Sequence, residues 1–231
     1  MFSPRRTATV LVLLLLSSTV VTGVARAEPA PAAISGTSPD GLGTWSVQYQ
    51  RLHPGQAQAA EVINDQIDAA AMREVTQATW DGSTRRPWTF DATGTINVRA
   101  ATVSEVFRGT YNTAEPHMPM HTVGSIVCDA ASGVIITWDN LFHDKTAGLQ
   151  RLGDQLEATL AAQASPTQVR DWKRAGKFAP VDINFKSWIP TREGVQLHFP
   201  ELQFGPGHTV VAVPWAAVRE QIVPEFLSIT E

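Results

Sequence analysis

An α+β domain is the fold class this sequence predicts, and three observations predict it. Apolar residues alternate with polar ones in several runs, recur every three or four positions in a few others, and the two kinds of run do not alternate regularly along the chain. Such an arrangement favours long, mostly antiparallel strands with helices set apart from them. No internal repeat is evident.

Structure is expected to begin at Gly43, where Trp45, Val47 and Tyr49 alternate with polar neighbours. Between Gln56 and Ala78 the period changes to that of an amphipathic helix, with Ile63, Ile67, Ala71 and Val75 on one stripe. Asp81-Gly82-Ser83 breaks it, and Ile96, Val98 and Ala100 resume a strand, followed by a further strand from Val103 to Tyr111. His121 to Cys128 and Val134 to Trp138 flank the turn-forming Asp129 to Gly133 and predict a hairpin.

Leu149, Leu152, Leu156 and Leu160 form one stripe of a helix that starts near Asp144. Gly148 and Gly153 weaken that helix by roughly 1 kcal/mol each relative to alanine, so the leucines must compensate by packing. Ser165-Pro166 predicts a helix start and Gly176 the matching end. The last third predicts strands from Ile183 to Ile189, Gly194 to Phe199 and Thr209 to Val213. A helix then runs from Pro214 to about Val223, with Trp215, Val218 and Ile222 inward and Pro224 as its stop.

Residues 1–27 have the order of a secretory signal peptide: Arg5 and Arg6, an apolar run from Val10 to Val21, then Ala25-Arg26-Ala27. The apolar run is shorter than the ~20 residues a spanning helix wants, so cleavage is expected and membrane contact only during export. Residues 28–42 are rich in Pro, Ala, Gly and Ser and are expected to be a flexible lead, and residues 43–231 a single domain. The expected location is secreted, extracellular or wall-associated.

Removing residues 1–27 takes away three of the 18 Lys and Arg and none of the 22 Asp and Glu, leaving a charge near −7. That balance argues against a nucleic-acid partner, whose phosphates need clustered cations, and favours basic partners. Cys128 is the single cysteine, so no intramolecular disulfide forms, and its apolar run predicts a buried, inert thiol.

No self-sufficient catalytic motif occurs. Gly-x-Ser-x-Gly is missing, with Val127 where the second glycine after Ser125 should stand, and so are His-Glu-x-x-His, phosphate-cradling glycine loops and Cys-x-x-Cys pairs. Glu115, His117, Met118, Met120 and His121 form the densest cluster of functional atom types. Thioether and imidazole together suit copper. In an extended chain, however, His117 and His121 face one way and Met118 and Met120 the other, so all four cannot meet one ion.

The segment is therefore expected to contact a partner, with no metal and no cofactor. Asp129, Asp139 and Asp144 are expected as turn and cap residues, His53, His143, His198 and His208 as structural histidines, and Trp45, Trp88, Trp138, Trp188 and Trp215 as core.

The order of landmarks carries a resemblance. Tyr111-Asn112-Thr113-Ala114-Glu115-Pro116-His117 is followed by a strand, the Asp129 to Gly133 turn, Ile136 to Phe142 and the leucine-striped helix. Phe199-Pro200-Glu201 then leads through Gly205-Pro206-Gly207 to Val211-Ala212-Val213-Pro214-Trp215. From about Gly43 to Phe226 the chain resembles the actinobacterial secreted immunogenic antigens, which share a domain with the extracellular part of RsiV-type, lysozyme-sensing anti-sigma factors.

The resemblance implies one α+β domain with a β-grasp-like sheet and no established enzymatic centre. Glu115-Pro116 departs from it, since relatives usually carry glycines before the residue matching His117. About nine residues precede Val10, so a segment that holds a sigma factor is not expected. The expected function is a secreted, non-enzymatic binding domain whose partner is a basic protein such as lysozyme or an envelope glycan. The alternatives are an envelope hydrolase using His117 with a nearby carboxylate, or a metal-binding protein.

Overall fold

The computed structural model describes residues 28–231, so the predicted signal peptide lies outside the described residues. Strands β1 (Ala30–Thr37), β2 (Gly43–Arg51), β3 (Trp88–Val98), β4 (Thr102–Thr113) and β5 (Met120–Asp129) form one sheet in that order. Neighbours are antiparallel except β2 and β3, which are parallel because helix α1 (Ala60–Asp81) carries the chain back between them.

α1 lies on one face of this sheet. Val47 and Tyr49 of β2, Trp88 and Phe90 of β3, and Phe107 and Tyr111 of β4 share a core with its Ile63, Ile67, Ala71 and Val75. The predicted period-four stripe is therefore the buried stripe.

A second, three-stranded antiparallel sheet is made of β6 (Trp188–Pro190), β7 (Gly194–His198) and β8 (Val210–Pro214). It packs beside the opposite face of the first sheet at the β4–β5 side. There Ser187 Oγ donates to the Val123 carbonyl at 3.0 Å, and the Trp188 amide donates to Ser125 Oγ at 2.8 Å. The described chain is an α+β fold with mostly antiparallel strands, as expected.

Helix α3 (Lys145–Ala161) supplies the second core. Leu149, Leu152, Leu156 and Leu160 are at most 1% exposed, and burial of each contributes about 1.5–3 kcal/mol. Its predicted cap is present, with Asp144 accepting the Ala147 amide at 3.0 Å. Gly148 and Gly153 are contact points: a Cβ would stand 2.2 Å from Phe142 Cδ2 at the first and 2.2 Å from the Phe178 carbonyl oxygen at the second. Helix α4 (Pro166–Arg174) starts on the Ser165 capping box, and Gly176 beyond its end has φ of 70°.

Four expectations are corrected. Residues 28–42 are not wholly a flexible lead, because Ala30–Thr37 pairs with β2 over its full length and lays Ala32 and Ile34 against the core. The ladder offsets the ordering cost that composition alone cannot meet, and Pro31 is tolerated on an edge strand. The arm from Val134 to Trp138 is no long strand: it touches β5 at the Cys128–Ile135 bridge, and Trp138 opens the short helix α2 (Trp138–Leu141) under the Thr137 capping box.

Asp182–Phe185 is a 3₁₀ turn and not the start of a strand, because Asn184 Nδ2 donates to the Gly176 and Ala179 carbonyls and Phe185 is buried. The helix after Pro214 shrinks to one turn, α5 (Trp215–Val218), then a 3₁₀ turn at Arg219–Gln221. Trp215, Val218 and Ile222 still face inward, and Pro224 begins a further 3₁₀ run.

Candidate functional site

The segment singled out from sequence joins β4 to β5 at one end of the first sheet. It is tied to the loop that follows α1. The Ser83 amide donates to the Tyr111 hydroxyl at 2.8 Å, Ser83 Oγ to Glu115 Oε1 at 3.2 Å, Arg86 Nη1 to the Ala114 carbonyl at 2.6 Å, and Thr113 Oγ1 to the Pro87 carbonyl at 2.9 Å. These bonds come from residues far apart in the chain, and together they fix where the loop leaves the sheet.

The five predicted residues do not converge. Glu115 is exposed and held by Ser83; His117 is exposed and has φ of 65°; Met118, joined to Pro119 by a cis bond, packs toward the α1 core. Met120 is 40% exposed, and His121 leaves on the other side of β5 with Nδ1 3.3 Å from Thr110 Oγ1. Among the described residues no three His, Cys, Asp or Glu side chains gather in a way that could hold a metal ion.

Beside the loop opens a cleft of about 520 Å³, lined by Leu42, Thr44, Pro87, Trp88, Thr89 and Asn112 among others. None of its lining residues is titratable, and His117 is not among them. His117 is therefore not part of that cleft.

Displaced acidities occur elsewhere. Burial pushes the Glu105 carboxyl up to about 7, with the nearby Asp68 charge adding to the effect and the Gln50 amide opposing it. Burial, helped by Arg108, pulls His198 down to about 4. Glu105 is 0% and His198 6% exposed, so neither meets a substrate-sized cavity. Arg108 Nη2 donates to His198 Nδ1 at 3.0 Å, which assigns that ring nitrogen as the acceptor.

Two features escaped the sequence reading. Glu105 occupies an inward position among Val103, Phe107 and Tyr111, and a charged residue breaking that alternation was its only signal. Trp80, at the end of α1, is 86% exposed, whereas Trp88, Trp138, Trp188 and Trp215 are buried as expected and Trp45 is half-buried. Exposure of one indole at a helix end depends on what covers that end, which spacing does not report.

No family model and no curated protein matches this sequence. Solved structures do. A DUF3298 family protein from Pseudomonas aeruginosa PAO1 aligns with a TM-score of 0.51 at 11% identity, over 86% of this chain and 96% of that one. A member of the DUF3298 family from Bacteroides fragilis NCTC 9343 aligns with a TM-score of 0.55 at 9% identity, over 88% of this chain and 97% of that one. The α+β fold built here from two sheets and their helices is thus similar to that of DUF3298 proteins.

Proposed function

We propose that this protein is an exported binding domain, acting in the cell envelope or outside it through surface complementarity and without making or breaking bonds. One observation carries the reading: Glu105 and His198, two groups with strongly displaced pKa, are sealed in the interior, while the cleft beside the β4–β5 loop has no titratable lining. The leader-like residues 1–27 support export. The motif order shared with secreted immunogenic antigens and lysozyme-sensing domains supports an extracellular partner.

Glu115, His117, Met118, Met120 and His121 are the residues offered to that partner, either a basic protein such as lysozyme or an envelope glycan. An acidic chain attracts a basic protein most strongly at low ionic strength. The test has two arms. Mass spectrometry of the secreted form should find Glu28 at its N-terminus, and immobilised protein should retain lysozyme or envelope glycan at low salt. Retention of neither, or turnover abolished by a single side-chain replacement, refutes the proposal.

A further inference from the structure

The face of the first sheet turned away from α1 is largely uncovered. Because alternate residues point to opposite faces, the chain neighbours of the buried Val47, Phe90 and Phe107 define an outward set on β2, β3 and β4, which register extends to β1 and β5. At the cleft end this set forms the registered row Thr37–Thr44–Thr89–Asn112. The next row is Ser35–Ser46–Asp91–Thr110–His121, and the one after it contains Gln48, Thr93 and Arg108. Thr44, Thr89 and Asn112 also line the cleft, so the face runs directly into it.

We infer that this face and its cleft bind an uncharged, hydroxyl-rich polymer, a neutral glycan chain, and that the glycan is the partner class of the binding domain proposed above, on which this inference rests. The chemistry of the surface selects that ligand. Threonine, serine, asparagine and glutamine side chains can donate and accept, and here they repeat at about 4.8 Å across strands and about 7 Å along them. A polyhydroxylated chain offers the same dual groups in return.

Other occupants fit less well. None of the large apolar side chains exposed among the described residues stands on this face, so it lacks the apolar centre of a protein interface and the greasy contact a lipid surface needs. Arg108 is turned to His198 of β7 and Asp91 carries the opposite charge, so the face offers no cation cluster to a polyanion. β6 packs only at the β4–β5 side, where Val106, Val123 and Ile189 close together, and leaves the outward sides of β2 and β3 open.

The test is native affinity electrophoresis of the protein in gels containing a neutral β-glucan, α-glucan or galactan, with polygalacturonate as the charged control. At least one neutral polysaccharide should retard the protein and polygalacturonate should not. The Thr89→Val/Thr93→Val double variant keeps shape and strand preference, which thermal melting checks. It should bind at least about tenfold more weakly, the loss expected from two weak hydrogen-bonding positions. Thr167→Ala, on α4, should migrate like the parent.

Absence of retardation by every neutral polysaccharide, or equal retardation of the double variant, overturns the inference. If the double variant still retains lysozyme while no glycan shifts, the glycan inference falls and the binding-domain reading stands. Loss of both partners in the parent protein defeats both.

Discussion

The Glu105 carboxylate on β4 accepts the backbone N–H of Gln50 on β2 at 2.9 Å, reaching across the intervening strand β3. The β2–β3 register ends at Gln48 and Thr93, and the next residue of β3 is Gly94. A Cβ there would stand 2.2 Å from Glu105 Oε1 and 2.9 Å from Tyr49 Cβ, so the crossing requires glycine. Gln50 Oε1 in turn accepts the Ile96 amide at 2.9 Å. Side chains thus replace the ladder where the two strands part.

Gly94→Ala should destabilise the fold by roughly 2–4 kcal/mol, through overpacking and displacement of a buried acceptor. Urea unfolding followed by tryptophan fluorescence measures it. A change below about 0.5 kcal/mol would mean that the crossing does not constrain the sheet.

Glu105 should make stability fall as pH rises. Its folded-state pKa is raised from an ordinary 4.5 to about 7, so the folded form holds the proton more tightly than the unfolded chain. The contribution is complete below 4.5 and is lost as pH climbs through 7. Glu105→Gln removes this dependence and should gain roughly 1–3 kcal/mol on the parent between about pH 5 and pH 8 in denaturation curves. Parallel curves for the two proteins would show that Glu105 ionises freely.

His198 has the opposite sign. Its folded-state pKa drops from 6.5 to about 4, so the unfolded chain takes up the proton first, and stability present above 6.5 is lost as pH falls through 4. The two slopes oppose each other between 4.5 and 6.5. The fall with rising pH that Glu105 and the likewise raised Glu74 supply should therefore be shallower in the parent than in His198→Phe within that window. A His198→Phe profile as shallow as the parent's would contradict the pairing.

Cys128 should resist thiol reagents. It is 1% exposed, and burial pushes its thiol up to about 12. A disulfide-exchange dye near pH 8 should label the native protein far more slowly than the unfolded protein. Equal rates would mean that β5 opens readily.

His117→Gly should keep or slightly raise the melting temperature, because glycine adopts the φ of 65° without a Cβ penalty. The same variant should weaken partner retention if the exposed imidazole makes contact. Unchanged retention would remove His117 from the binding surface and leave the cleft.

Much of the fold is legible from residue order. Each leucine from Leu149 to Leu160 is buried as its spacing requires, and Asp144 and Ser165 cap the helices they precede, because periodicity and capping act within a few residues. The site is less legible. Glu115, His117, Met118, Met120 and His121 are close in the chain, yet Ser83 holds Glu115, Met118 packs toward the α1 core and β5 sends Met120 and His121 to opposite sides.

By itself the sequence determined the α+β class, the helix stripes, the buried tryptophans at four of the five named positions and the buried thiol of Cys128. Only the tertiary structure decided that Ala30–Thr37 is a strand, that Glu105 crosses β3, and that Thr37, Thr44, Thr89 and Asn112 stand in one row beside a cleft. Periodicity assigns a residue to a face. Strand pairing and register, set by contacts across tens of residues, assign its neighbours.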